Sequence, residues 1–406
     1  MKQDTCGTIC CIVGWWPGQN NATGIFIREH VLAIASHRPV IAIYVEVWKK
    51  GWFNFSTRSR VATEEGLEVH HIRITTPLRR FGMAEALVRR AYRKFFRQQR
   101  RKFDLIHIHV RTEVTEQVMP MARELDLPVV LTENNTFYHT GIRKLPARQK
   151  RKQQDAIRQW LADPRIRKIM PVSNDLTEVL QENYGVDKER IAIVPNVAAD
   201  AFRPGKISAS PPFRLLLAAV WRPPKDADVF IKALKTLPPE IAQQCRIEWA
   251  GYGPSMPQIM EQCRAQLPEL DIRFTGRVEK QELASLMQSA HVFILPTNAE
   301  NLPCVILESL CCGTPVISMT VNGVPELIND QNGILVPPGD PDALSNALLS
   351  ALDRLSHFDR DAISQAAVLR FSKDAVGGMI EEVYLSVINA HDAGSKSSST
   401  AANRKN

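Results

Sequence analysis

The stretch Glu300-Asn301-Leu302-Pro303-Cys304-Val305-Ile306-Leu307-Glu308, running on into Cys312-Gly313-Thr314-Pro315-Val316-Ile317, sets a helix directly ahead of a buried strand. Pro303 suits the first helical position, where its missing N–H costs nothing, and Gly313 suits the left-handed residue past the helix end. The pattern predicts a helix from about Leu302 to Cys312. The N-terminus of such a helix has a partial positive charge and orphan N–H donors, presented here by Asn301 and Leu302, and suits a diphosphate. An ionised Glu300 at the mouth only accepts hydrogen bonds, which suits the hydroxyls of a hexose. Glu308, two turns in, suits the two hydroxyls of a ribose. Two glutamates making surface ion pairs on an ordinary helix are the plain alternative. The surrounding sequence decides between them.

Outward from this stretch, short Val/Ile-rich runs alternate with helical stretches. In the first half the expected strands are Ile9–Val13, Ile41–Val47, Leu105–His109, Val129–Thr132, Lys168–Val172 and Ile191–Val194. In the second they are Leu215–Val220, Arg246–Ala250, Ile272–Phe274, Val292–Leu295, Val316–Ser318 and Ile334–Val336. Buried strands separated by helices predict parallel sheets covered on both faces, and the pattern occurs twice. The expected fold is therefore α/β, with two Rossmann-like, doubly wound parallel-sheet domains facing across a cleft. Their boundaries are expected at 1–197 and 198–372, joined near Asn196–Gly205. A last helix is expected at about 373–390, and the Ser-, Ala- and Asn-rich tail, 391–406, should be disordered.

Composition is consistent with a two-domain globular chain: 406 residues, 44% hydrophobic and 23% charged. A net charge of +8 favours an anionic partner. Eight cysteines without metal-site or paired Cys-x-x-Cys spacing read as reduced thiols. No run approaches the roughly 18 uninterrupted apolar residues of a membrane span, and no apolar signal core follows Lys2, so a cytoplasmic protein is expected.

The run Gly251–Asp340 resembles the C-terminal half of family 4 glycosyltransferases, which are retaining, metal-independent enzymes of the GT-B fold. The resemblance rests on Gly251-Tyr252-Gly253-Pro254, Phe274-Thr275-Gly276-Arg277-Val278, the glutamate pair and Cys312-Gly313-Thr314-Pro315-Val316. It continues through Asn322-Gly323-Val324-Pro325-Glu326 and Asn332-Gly333-Ile334-Leu335-Val336-Pro337-Pro338-Gly339-Asp340. A weaker match extends upstream through Val172-Ser173, Ile193-Val194-Pro195-Asn196 and Phe202-Arg203-Pro204.

The resemblance implies that the helix at about 373–390 crosses back to the first domain, and it assigns further roles. Lys225 and Arg222, after the first strand of the second domain, would neutralise the donor diphosphate, although only two residues separate them. Backbone groups near Arg277 and Val278 would face the nucleotide base. Gly24, in the loop Pro17–Phe26, would adjoin the diphosphate, and His109 would sit beside the donor sugar. Where relatives commonly have His, this chain has Asn134, which cannot titrate near neutrality. Asp226-Ala227-Asp228 and Asp340-Pro341-Asp342 look like metal-binding Asp-x-Asp runs, but both stand at helix starts and are expected to be N-caps, with no metal site. Gly251-Tyr252-Gly253 lacks the third glycine of a dinucleotide fingerprint, since Met256 replaces it.

Between Arg79 and Lys102, ten Arg/Lys residues stand against the single acid Glu85, opposite an apolar stripe of Leu87, Val88, Ala91, Tyr92 and Phe95. Arg89, Arg93, Arg97 and Arg100 would contact an acceptor or an anionic membrane surface. A helix packed on the sheet with a solvated basic face explains the same stripe. No nucleic-acid module accompanies the charge, and no nucleic-acid partner is expected.

The implied activity is transfer of a hexose-type sugar, with retention, from a nucleoside diphosphate donor to a glycan or lipid-linked acceptor, as in cell-surface polysaccharide synthesis. Glu300 and His109 would be the catalytic residues, UDP or GDP the donor's nucleotide, and no cofactor would be needed. A sugar-nucleotide epimerase of the same fold and a non-catalytic nucleotide-sugar-binding protein remain as alternatives.

Overall fold

The computed structural model describes residues 7–18, 23–50, 55–77, 82–99, 102–139, 142, 145–207 and 210–403, with side chains described as far as residue 394. The chain divides into two compact units. One takes the chain up to Val172, Thr177–Val194 and the chain from Val376 onward; the other takes Ser173–Leu176 and Pro195–Ala375.

The first unit holds strands β1 (Thr8–Val13), β2 (Val40–Lys49), β3 (Ser56–Glu64), β4 (Leu67–Thr76), β5 (Phe103–His109), β6 (Val129–Glu133) and β7 (Ile166–Pro171). Its helices are α1 (Ile25–Ala35), α2 (Met83–Gln98), α3 (Met119–Glu124), α4 (Ala147–Leu161) and α5 (Asn174–Tyr184), the last beginning in the other unit. The sheet order is β3-β4-β2-β1-β5-β6-β7. All pairs are parallel except β3 with β4.

That hairpin is absent from the sequence expectation and makes the sheet mixed rather than parallel. Its two-residue turn places Glu65 and Gly66 at φ 49° and 84°, the left-handed pair that matches strand twist. Glu-Gly is a weaker hairpin signal than Asn-Gly. Strand β3 is also almost wholly solvent-exposed, so no apolar alternation marks it. Arg58 and Arg60 stand on this edge, where charge discourages further strand pairing.

The second unit holds β8 (Phe213–Val220), β9 (Cys245–Tyr252), β10 (Asp271–Gly276), β11 (Val292–Leu295), β12 (Val316–Met319) and β13 (Gly333–Val336). Its helices are α6 (Ala227–Thr236), α7 (Pro239–Ala242), α8 (Met256–Gln266), α9 (Lys280–Ser289), α10 (Cys304–Cys311), α11 (Pro341–Asp353) and α12 (Arg360–Phe371). Helix α13 (Lys373–Asn403) follows, and from Val376 it belongs to the first unit. The sheet order β10-β9-β8-β11-β12-β13 is all parallel and reverses direction between β8 and β11. Ligands of such sheets gather beyond the carboxyl ends of the strands at that switch. Strands β11 and β12 are wholly buried, as a sheet covered on both faces requires.

Three expectations are corrected. Ile191–Val194 is not a strand: Ile191 makes only an isolated bridge to Ile169, with bonds from Ala192 and Val194 to the carbonyls of Ile169 and Pro171. Pro171, without an N–H, cannot continue the ladder. Helix α10 begins at Cys304 with Pro303 as its N-cap (ψ 117°) rather than at Leu302. Gly313 does take the left-handed conformation after it, at φ 71°. The tail expected to be disordered is helical to Asn403. Extending a helix already nucleated by a docked first half costs little, and its alanines favour propagation.

Candidate active site

In the second unit the site is built from the loops that leave β8, β10, β11 and β12. The chain after β8 turns at Trp221, whose buried indole donates to the Ala250 carbonyl at 2.8 Å. Glycine is required opposite: a Cβ on Gly253 would lie 2.3 Å from the Trp221 carbonyl oxygen, and one on Gly251 1.9 Å from that of Ala219. Gly251-Tyr252-Gly253 is thus a close-packing device between β9 and the β8 loop. Lys225 then bridges Thr297 backbone to backbone, Asp226 N–H donates to Pro296 (3.1 Å), and Asn298 N–H donates to Pro224 (3.0 Å). The loops after β8 and β11 are laced into one platform.

On that platform the Lys225 ammonium contacts the Glu300 carboxylate directly. Glu300 also accepts from the Thr297 hydroxyl at 3.1 Å, and its N–H donates to the Asn322 side-chain oxygen at 3.3 Å. Burial pushes the Lys225 pKa down to about 8, and the Arg222 charge acts in the same direction. The carboxylate in contact holds the proton on, so Lys225 is an ammonium at neutral pH. Arg222 stands exposed three residues before it.

Helix α10 enters the platform from Glu300. Leu302 is buried, and its carbonyl accepts from the Asn196 side-chain amide at 2.6 Å. Asn301 is 3% exposed, and neither atom of its side-chain amide has a hydrogen-bond partner. Gly323 sits against the Asn301 carbonyl, where a Cβ would come within 2.0 Å. Glu308, half-buried, is the fifth residue of the helix, one turn in rather than two. Gly276, at φ 69°, turns the chain from β10 to Arg277 and Val278. The Arg277 guanidinium lies 5.8 Å from the Tyr252 ring centre.

Both Asp-x-Asp runs are helix caps. Asp226 accepts from Val229 N–H and from the Asn298 amide, and Asp340 accepts from Ala343 N–H at 2.9 Å. The cysteines among the described residues are free thiols, all buried except the partly exposed Cys304.

In the first unit, period-two alternation on β5 puts His107 and His109 on one face, both buried, with ring centres 3.8 Å apart. Burial pushes both well below the usual imidazole range, so both are neutral. Gly24 starts α1 at φ 89°, packed so closely on Trp15–Trp16 that a Cβ would lie 2.7 Å from the Trp15 carbonyl carbon. Residues 19–22 of its loop lie outside the described residues.

Sequence reasoning missed Glu133. This wholly buried carboxylate ends β6 and accepts from the N–H groups of Arg111, Asn134 and Asn135 (3.0–3.1 Å) and from Tyr138 OH (3.0 Å). It thereby ties together the loops after β5 and β6. Between its neighbours stands Val110 at φ 66°, a strained conformation for a β-branched residue. An acid closing an otherwise apolar strand was the available signal. Glu326 was missed too: its carboxylate accepts from Asn174 and Asp175 N–H (2.8 and 2.9 Å), capping α5.

Helix α2 buries Val88, Ala91, Tyr92 and Phe95 and exposes Arg90, Arg93, Lys94 and Arg97, the expected basic face opposite an apolar stripe, and two of its arginines have partners. Arg89 donates to Gln117 at 2.6 Å and Arg93 pairs with Glu124 at 3.5 Å, both reaching the segment around α3. Arg97 is exposed, and Arg100 lies outside the described residues. Arg90 and Lys94 instead line a cavity of about 570 Å³ against the hairpin, with Arg60, Leu87 and Phe95.

Residues 51–198 match the family model Glycosyltransferase Family 4, and residues 212–354 match Glycosyl transferases group 1. The D-inositol 3-phosphate glycosyltransferase 2 of Catenulispora acidiphila is 31% identical over 50% of this chain and 52% of its own length. The D-inositol 3-phosphate glycosyltransferase of Thermobispora bispora is 29% identical over 70% of each chain. Against most of these curated relatives the match spans about half their length. Among solved structures, Anabaena HepE in complex with UDP-glucose superposes with a TM-score of 0.68 at 16% identity, covering 94% of this chain and all of that one. Sucrose-phosphate synthase from Thermosynechococcus elongatus gives 0.71 at 16% identity, over 95% of this chain and 100% of the other. Identities this low speak to fold alone. Two Rossmann-like sheets, and family models matched over most of the chain, place it among the family 4, group 1 glycosyltransferases of the GT-B fold.

Proposed function

We propose that this chain is a retaining, metal-independent hexosyltransferase that moves a sugar from a nucleoside diphosphate donor to a glycan or lipid-linked acceptor. The observation that carries the reading is the Lys225–Glu300 pair beside the start of α10, on one platform at the carboxyl ends of a parallel sheet. A cation for the diphosphate, a carboxylate for sugar hydroxyls and a helix N-terminus are the parts a sugar nucleotide needs. Family membership supports the donor class.

In the mechanism we favour, the acceptor hydroxyl attacks the anomeric carbon from the side the diphosphate leaves. The C–O bond to the acceptor forms as the bond to the diphosphate oxygen breaks, and that oxygen takes the hydroxyl proton. Lys225, Arg222 and the backbone at Asn301 and Leu302 stabilise the departing negative charge, the main catalytic term. Glu300 orients the transferred sugar, Glu308 holds the ribose, and Arg277 and Val278 face the base. Gly24 adjoins the diphosphate, and His109 supports the sugar as positive charge develops on it. We assign Arg90, Lys94 and Arg97 to an anionic membrane surface where a lipid-linked acceptor would reside, with polysaccharide synthesis as the setting.

Thermal shift against UDP, GDP, ADP and dTDP sugars tests the donor, with UDP-glucose first. A ligand at 100 times its dissociation constant adds about 2.7 kcal/mol of stability. Product assays with and without acceptor then separate transfer from epimerisation. A changed sugar nucleotide formed without acceptor, or binding with no turnover, would overturn the reading.

A further inference from the structure

His107, the buried neighbour of His109, has no role in the chemistry above, yet both of its nitrogens are engaged. Nδ1 lies 2.6 Å from Tyr384 OH on α13, and Nε2 lies 2.8 Å from Thr132 Oγ1 on β6. A neutral imidazole has one N–H and one lone pair, so one hydroxyl donates to the ring and the other accepts from it. Two partners on opposite edges prevent the ring from turning. Tyr384 also packs edge-on against it, with ring centres 5.7 Å apart at 84°.

His109 lies against this clamped ring at 3.8 Å, with His30 edge-on at 6.0 Å on α1. Its Nε2 is buried and has no hydrogen-bond partner, while the residue is 1% exposed. Buried ring nitrogens are ordinarily satisfied, so with no hydrogen bond at Nε2 the His109 ring depends on its packing against His107 for its orientation. Cys11 Sγ comes within 4.8 Å of the two imidazoles, a set that could hold a soft metal ion. Metal ligation by His107 would require breaking one of its two hydrogen bonds, and the geometry favours the clamp.

Tyr384 is itself fixed. One turn earlier on α13, Glu381 accepts two bonds from the buried Arg38 guanidinium, at 2.6 and 2.7 Å. Gly377 lets the helix approach α1, where a Cβ would lie 2.6 Å from the Ala33 carbonyl oxygen.

We propose that Tyr384 is a positioning residue: with Thr132 it locks His107, and His107 in turn fixes the plane of the His109 ring packed against it. The last helix is then part of the sugar-handling machinery rather than only a structural strap. This inference rests on the reading of His109 beside the donor sugar.

The test uses full-length protein labelled with 15N at histidine, together with turnover of the sugar nucleotide chosen by the thermal-shift panel. Tyr384→Phe should change the His107 tautomer signature and broaden or shift the His109 resonances, with the melting temperature nearly unchanged. It should lower kcat about 10- to 100-fold, as expected for a reacting group displaced by a fraction of an ångström, with donor KM within about twofold. Adding Tyr384→Phe to His109→Ala should cost less than about another twofold, because both act through one ring. Thr132→Val, at the other nitrogen, should give the same readings without altering the helix. Unchanged His109 resonances, or losses from Tyr384→Phe and His109→Ala that multiply, would overturn the proposal while leaving His109 its role. Full turnover in His109→Ala alone would remove that role and the proposal with it.

Discussion

Lys225 and Glu300 are ion-paired with each other, although sequence reasoning assigns them to different parts of the donor. Each neutralises the other on a platform where neither is solvent-exposed. A diphosphate bound at Lys225, as proposed, would compete with Glu300 for the lysine.

The competition sharpens the difference between the two glutamates. Losing a charged hydrogen bond costs about 1.5–3 kcal/mol, roughly 10- to 150-fold. Glu308→Gln should weaken free nucleoside diphosphate and intact donor by similar factors, since both contain the ribose. Glu300→Gln should not weaken the free diphosphate, because it releases Lys225, yet turnover should fall by a factor in the same range. Calorimetry with the bare nucleotide and rate measurements with the donor give the comparison. Equal weakening of the bare nucleotide by both substitutions would refute the division.

Asp226 and Asp340 spend their carboxylates on helix caps. Transfer should therefore survive EDTA, and Asp228→Asn, on the first turn of α6, should leave donor affinity nearly unchanged. Loss of activity on chelation with rescue by manganese or magnesium would contradict the metal-independent mechanism.

Glu133 gives the chain a pH-dependent stability term. Burial raises its pKa from 4.5 to about 6 against the opposing hydrogen bonds from Arg111, Tyr138 and Asn135. The folded state therefore binds this proton more tightly than the unfolded state. The contribution is fully present below pH 4.5, about 2 kcal/mol, and is lost as pH rises through 6. Relative to Glu133→Gln, the wild type should gain about 1 kcal/mol between pH 7 and pH 5 in urea unfolding. Parallel pH profiles for the two proteins would show that Glu133 titrates normally.

The proposed membrane contact would fall to Arg90, Lys94 and Arg97, exposed cations of α2 with no ion-pair partner among the described residues. Replacing Arg90, Lys94 and Arg97 with Gln should weaken sedimentation with anionic liposomes more than replacing Arg89 and Arg93, which are held by Gln117 and Glu124. Wild-type attachment should decline steeply with salt, because exposed charges are screened beyond about 10 Å at 0.1 M ionic strength. Wild-type protein that ignores anionic liposomes at low salt would end this reading.

Local chemistry made much of this protein legible. The Val/Ile-rich runs of β1, β5, β11 and β12 are buried on both faces and so read as strands without any partner in view. Gly313, Asp226 and Asp340 act through the residues next to them, which is why the helix end and both caps follow from sequence. The hairpin β3–β4 does not read this way, because an exposed edge strand has no burial pattern and its pairing is set by β4 alone. Tertiary structure decided the rest by joining residues far apart in the chain: Lys225 to Glu300 across 75 positions, Arg89 to Gln117 across 28, and Tyr384 to His107 across 277. Charge and hydroxyl groups are promiscuous in their choice of partner. Only the fold, by excluding water and bringing strand ends and helices together, selects which pair forms.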